Sequence, residues 1–238
     1  MATLILITRR ITPGIQSKLR SLVRVGIDAY VMSDEKPEIQ SKRILHIPDE
    51  EMKELGWTHH MSNAKNMITA WDKATYYAYT TKKPHVWLCE DDVFWNKPSV
   101  MKLLTDVNIK SDLIASAPVA ESYWEQPSWF HWEKVGMLTK TKKSWASTLN
   151  QLCRLSSRLL ERMHELSVSR KRLYFHEGMF VTLCNLNGYP YTYIDRLDIP
   201  ITVMIRWNKP FTPEQVTEIS QQNKMVILHP VKETGETR

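Results

Sequence analysis

Glycine is scarce in this chain, with seven among 238 residues. None of them builds a Walker-type loop or a GxGxxG turn, the two arrangements that bring backbone amides close to phosphates. Kinase and dinucleotide oxidoreductase readings are therefore poor. Cysteine is also scarce. Cys89, Cys153 and Cys184 are an odd set with no CxxC pair, which argues against a disulfide framework and a zinc site and fits a reducing cytosol. Long apolar runs are missing too. The longest are strand-sized, far short of the roughly 20 residues a membrane span needs. The opening Met-Ala-Thr-Leu-Ile-Leu-Ile-Thr-Arg-Arg puts its positive charges after the apolar run. A secretory signal has the reverse order, so a first β-strand is expected. No internal repeat or low-complexity tract is present.

The length suits one α/β domain, or one with a modest appendage, and 42% hydrophobic with 24% charged residues is ordinary for a globular protein. Net charge is +6 with a pI near 9.1. A mildly basic surface suits an anionic ligand, an anionic membrane face or nucleic acid, and chooses among none of them.

Leu4-Ile5-Leu6-Ile7 has the continuous apolar pattern of a strand covered on both faces. Ile15, Leu19, Leu22 and Val23 follow at helical spacing. Residues 29–32, 44–47, 86–89 and 113–115 read as further strands, and 62–80 as a helix with Ser62 at its N-cap. Strands alternating with helices indicate a mostly parallel sheet with helices on both faces. Residues 118–147, holding Trp124, Trp129, Trp132 and Trp145, read as a long functional loop. Residues 149–166 read as a helix, 191–194 and 201–204 as late strands, 213–222 as a helix capped by Thr212, and 226–228 as a last strand.

Glu90-Asp91-Asp92 follows a buried strand directly. Three adjacent carboxylates repel one another unless a cation compensates, and strand carboxyl ends are where ligands bind in open α/β sheets. Hard oxygen donors suit Mg²⁺ or Mn²⁺. Thr8-Arg9-Arg10 and Ser33-Asp34 would share the same edge if the first two strands are neighbours. Lys65, near the start of the helix before the acidic strand, would approach a base or phosphate, helped by the helix dipole. Glu177, an acid between aromatics, is a candidate for burial and a raised pKa, with Asp195 and Asp198 as competitors. His229 follows an apolar strand directly. Trp129 and Trp132 bracket His131, and tryptophan faces stack on sugar rings.

The motif ending the fourth strand resembles that of the GT-A glycosyltransferases. Ala70-Trp71-Asp72-Lys73-Ala74, Val86-Trp87 through Val93-Phe94, Arg154-Leu155-Ser156, Phe175-His176-Glu177 and His229-Pro230-Val231-Lys232 occur in an order similar to a GT-A group that includes the first domain of a chlorovirus capsid-glycosylating enzyme. The resemblance runs from Thr8 to Lys232. It implies a single GT-A domain over residues 1–238, with a nucleotide-sugar half at 1–117 and an acceptor half at 118–238. It implies Asp92 as metal ligand with Glu90 and His229 in support, and Asp91 as ribose contact. Thr8, Arg9, Asp34 and Lys65 would help seat the nucleotide, with Lys232 on phosphate. Glu177 becomes the base of an inverting reaction, and Trp129 and Trp132 flank the acceptor. The expected partners are a nucleoside-diphosphate sugar, UDP-sugar favoured, and a glycan or glycoprotein acceptor, with no nucleic acid. The expected compartment is the cytoplasm, or a host's cytoplasm for a viral chain.

Two rival readings remain. A metal-dependent nuclease or phosphodiesterase would want acids spread over several strands around two cations. A nucleic-acid-binding domain would use Arg154, Arg158 and Arg162 at i, i+4, i+8 of one helix, followed by Arg170-Lys171-Arg172, as a phosphate-tracking stripe.

Overall fold

The computed structural model describes residues 3–58 and 68–232. The order begins β1 (Thr3–Thr8), α1 (Pro13–Arg24), β2 (Asp28–Ser33), β3 (Ile44–Leu45), α2 (Asp49–Leu55), α3 (Ala70–Thr80), β4 (His85–Glu90) and β5 (Phe94–Trp95). It continues α4 (Pro98–Thr105), β6 (Leu113–Ala115), β7 (Ala117–Ala120), α5 (Trp132–Leu138), β8 (Ser147–Leu149), β9 (Leu152–Ser156) and α6 (Ser157–Arg170). Then come α7 (His176–Asn187), β10 (Tyr191–Tyr193), β11 (Thr202–Ile205), α8 (Pro213–Gln222) and β12 (Val226–His229).

Seven strands form the central sheet in the order β10-β6-β9-β4-β1-β2-β3. β1 pairs parallel with both β2 and β4, and β9 is the antiparallel member between β4 and β6. All six residues of β1 are buried, and they alternate between two cores, as a period-two strand must. Ile5 and Ile7 pack with Trp71 and Ala74 of α3, Leu159 and Met163 of α6 and Phe180 of α7. Leu4 and Leu6 pack with Leu19 and Leu22 of α1 and Met101 and Leu104 of α4. Helices therefore cover both faces, and β11-β12-β5 form a small second sheet.

Several expectations are corrected. Residues 118–147 are not one loop: they hold most of β7, all of α5 and the start of β8, and β7 pairs with β8. Residues 149–166 are not one helix. Leu152–Ser156 is a fully buried strand, and α6 begins only at Ser157, where the Ser156 hydroxyl caps it by accepting from Leu159 N at 3.1 Å. Leu152 and Leu155 mimic a helical face because a strand buried on both sides carries no alternation to give it away. The arginine stripe accordingly does not form. Arg154 sits inside β9 and donates to the carbonyls of Val107 at 3.2 Å, Ile109 at 2.5 Å and Ser111 at 3.1 Å. Arg158 is paired with Asp112.

The described part of the 62–80 helix is α3. Thr69 and Asp72 form its capping box. Ser62 and Lys65 lie outside the described residues. α2 and α4 were not anticipated. The three cysteines are free and buried, and no helix of the described residues is long and apolar enough to cross a membrane.

Candidate functional site

Parallel pairing brings the ends of β1, β2 and β4 to one edge. There Asp34 N donates to Thr8 O at 3.0 Å and Asp91 N to Ile7 O at 3.0 Å. Because β9 runs the other way, Gln151 at its entrance reaches the same edge, and its carbonyl accepts from Glu90 N at 2.8 Å. The acidic triplet leads at once into β5, whose Phe94 and Trp95 pair antiparallel with Leu228 and Ile227 of β12. That pairing carries His229 to the triplet, and Val231 N then donates to Asp92 O at 2.9 Å.

Glu90, Asp92 and His229 each offer a donor atom within 4.8 Å of the other two, the one such group of three among the described residues. His229 Nε2 lies 3.1 Å from Asp92 Oδ1 and 3.4 Å from Glu90 Oε2. The other ring nitrogen, Nδ1, is 2.9 Å from the Arg206 carbonyl. A carbonyl only accepts, so Nδ1 carries a proton and Nε2 is the ring atom that faces the carboxylates. Asp92 Oδ1 is buried and faces no donor other than that Nε2. Two acceptors facing at this distance repel unless a proton or a cation lies between them. Burial disfavours the charged imidazolium, yet the Asp92 and Glu90 carboxylates outweigh it and raise His229 to about 9. Burial alone would raise Asp92, but His229 and Lys232, which also contacts Asp92, hold its carboxyl well below the usual range. Two carboxylates and an imidazole held through its second nitrogen fit a divalent ion such as Mn²⁺ or Mg²⁺.

Asp91 points elsewhere. Its Oδ2 accepts from the Thr8 hydroxyl at 2.6 Å, and burial raises its pKa. Lys18 of α1 donates to the carbonyls of Asp91 and, at 3.2 Å, Val93, which fixes the turn. Asp34 accepts from the buried Lys73 ammonium at 3.1 Å, a cation also paired with Asp49 at 2.8 Å. Arg9 is exposed and pairs with Glu35 at 2.9 Å.

Glu177 lies in the first turn of α7. Its Oε1 accepts from Gln151 Nε2 at 3.1 Å. Burial, seconded by the Glu90 carboxylate, pushes its pKa up to about 8, while the Gln151 hydrogen bond pulls the other way. A Cβ on the next residue, Gly178, would come within 2.4 Å of Val135 Cγ2, so α5 closes on α7 only because that position is bare. Trp71 joins the two regions: its indole N–H donates to Glu90 Oε1 at 2.8 Å and its ring stacks on His176.

Glu90, Asp92, His229, Lys232, Glu177 and Trp129 all line one cavity of about 580 Å³, a volume within the roughly 300–1,000 Å³ of small-molecule sites. Thr8, Arg9, Asp34 and Asp91 are not in that lining, and neither is Trp132. Trp132 packs against Trp129 and Trp145, and its N–H donates to the Gln126 carbonyl at 2.7 Å. Gln151, Trp207 and Phe130 join the lining without having been singled out from sequence. Gln151 was hidden by the helical reading of its segment, and Phe130 and Trp207 carry no motif signal.

No protein-family model matches the sequence, and no curated protein matches it. Solved structures do. An active-site mutant of LgtC aligns over 98% of this chain and 88% of its own, at 11% identity and a TM-score of 0.50. The galactosyltransferase LgtC in complex with donor and acceptor sugar analogues aligns over 86% and 76%, at 11% identity and 0.47. A glycosyltransferase involved in glycosylation of the major capsid of PBCV-1 aligns over 100% and 95%, at 9% identity and 0.39. The fold is that of the GT-A glycosyltransferases, with a mostly parallel central sheet and helices on both faces.

Proposed function

We propose that this chain is a metal-dependent glycosyltransferase that moves a sugar from a nucleoside-diphosphate sugar, UDP-sugar favoured, to a hydroxyl of a glycan or glycoprotein. The observation that carries the reading is the convergence of Glu90, Asp92 and His229 on a cavity that also contains Glu177. Glu90, Asp92 and His229 would hold Mn²⁺ or Mg²⁺, which when bound neutralises charge developing on the nucleoside diphosphate as it leaves. Lys232 adds a positive charge on the same side. Asp91 and Thr8, with Arg9, Asp34 and Lys65, serve the nucleoside end. The halves divide at about residue 117.

Glu177 takes the acceptor's proton in an inverting displacement. A buried carboxylate with a pKa near 8 accepts a proton more readily than an exposed one, and a matched base is worth about 10²–10⁴-fold in rate. Gln151 orients that carboxylate.

Thermal shift with UDP, GDP and dTDP, each with and without Mn²⁺, is expected to give a metal-dependent gain of several degrees for one nucleotide. Asp92→Ala removes that gain. A chain that ignores every nucleotide and binds single-stranded DNA instead is not a glycosyltransferase.

A further inference from the structure

The tryptophans expected at the acceptor are largely withdrawn from solvent. Trp129 and Trp132 are both buried in an aromatic cluster with Trp145 and Phe175. Of the exposed aromatics among the described residues, Trp124, Phe130 and Trp207, the last two lie at the site. Phe130 is 67% exposed and Trp207 66%, and both line the same cavity as Glu177 and the Glu90-Asp92-His229 set. One exposed apolar side chain needs no explanation. Two of the largest, from distant segments and at one cavity mouth, do.

Neither is there because its backbone hangs loose. Arg206 N donates to His229 O at 3.0 Å and Phe211 N to Pro230 O at 2.9 Å, so the segment bearing Trp207 is tied at both ends to the strand that supplies His229. The Arg206 guanidinium also sits over the Phe211 ring at 3.6 Å. Phe130 rests on His131, centroids 3.8 Å apart, and His131 in turn packs on Phe175, which precedes α7. The Phe130 ring is therefore held from behind and the Trp207 backbone is anchored on both sides, while both side chains present area outward. Polar side chains accompany both: Gln126 and Ser128 before Phe130, and Asn208 after Trp207, line the same cavity.

We propose that Phe130 and Trp207 form the acceptor platform, and that the acceptor end they receive is a pyranose ring. A pyranose has apolar C–H faces and a hydroxyl rim, which matches aromatic faces set among an amide-and-hydroxyl border. A lipid chain or apolar peptide would leave those polar groups without partners. The inference rests on the glycosyltransferase reading and adds the class of acceptor and the residues that grip it.

The test is saturation-transfer NMR on the full chain with Mn²⁺ and whichever of UDP, GDP and dTDP gives the largest thermal shift. The probes are methyl glycosides of glucose, galactose, mannose, xylose, fucose and rhamnose. Saturation of ring C–H protons is expected for at least one. It should fall at least fivefold in Trp207→Ala and in Phe130→Ala, and return at least half-way in Trp207→Phe and Phe130→Tyr. Both alanine variants should keep the nucleotide-induced thermal shift, which shows that they fold. Undiminished saturation in both alanine variants overturns the platform. So does a nucleotide shift without saturation of any glycoside, or saturation confined to the aglycone methyl. Absence of both shift and saturation removes the glycosyltransferase reading itself.

Discussion

The indole of Trp71 lies flat on the imidazole of His176, with ring centroids 4.1 Å apart and planes 13° from parallel. The same indole donates to Glu90 Oε1, so one side chain of α3 touches both a metal-ligand candidate and the residue before Glu177. Partners that orient a ligand from behind typically contribute 10–100-fold to metal affinity. Trp71→Phe keeps a ring on His176 and removes the donor to Glu90. Isothermal titration with Mn²⁺ should show affinity lowered by about tenfold or more. An unchanged affinity would mean that Glu90 needs no such support or is not a ligand.

Proton release should accompany cation binding. His229, raised to about 9 by the two carboxylates, is protonated at neutral pH in the metal-free protein. A cation taking Nε2 must displace that proton. Titration calorimetry in buffers of different ionisation enthalpy at pH 7 should report close to one proton released. Affinity should rise with pH until about 9, and His229→Ala should abolish both effects. Zero release at pH 7 would argue against His229 as a ligand.

Glu177 makes a stability prediction of definite sign. Its folded pKa is about 8 against an ordinary 4.5, so between those values the unfolded chain releases a proton that the folded chain keeps. Glu177 therefore destabilises the fold progressively as pH rises from 4.5 to 8. Glu177→Gln removes this dependence. With EDTA present, the variant's Tm should match that of the parent near pH 4 and exceed it at pH 8. Sugar transfer by the variant should nonetheless fall by about 10²–10⁴-fold. A Tm difference that is flat with pH would mean the carboxyl is not buried as described.

Arg154 separates a structural role from a nucleic-acid one. Leu in its place leaves the carbonyls it now satisfies without their donor, and unsatisfied buried groups cost about 1–3 kcal/mol each. Chemical denaturation of Arg154→Leu should show a loss of about 3 kcal/mol or more. Binding to DNA, and its salt dependence, should be the same in variant and parent. A stable variant with a weakened salt-dependent interaction would restore the phosphate-tracking role.

Legibility followed periodicity. β1 and α8 were readable because a buried parallel strand is a pure apolar run and because Thr212-Pro213 with Gln215 is a complete capping signal. β9 was not, since a buried arginine whose partners are backbone carbonyls leaves no complementary charge in the sequence. Residue chemistry alone singled out the acidic triplet as a candidate cation site, whereas a division among its members came only from the resemblance. That Asp91 turns to Thr8 while Glu90 and Asp92 turn to His229 depends on the register of β1 against β4 and of β5 against β12. Likewise, which aromatics face outward at 118–147 was decided by packing between α5 and α7, a long-range contact with no local pattern.

The pairing of β5 with β12 has a consequence for synthesis. The two carboxylates leave the ribosome long before His229 does, so a nascent chain that has already built β1, β2 and β4 still lacks the third donor. Tight cation binding at the proposed site would therefore report a finished molecule and not a half-assembled sheet. A chain released before β12 would offer the proposed ion two carboxylates and no imidazole.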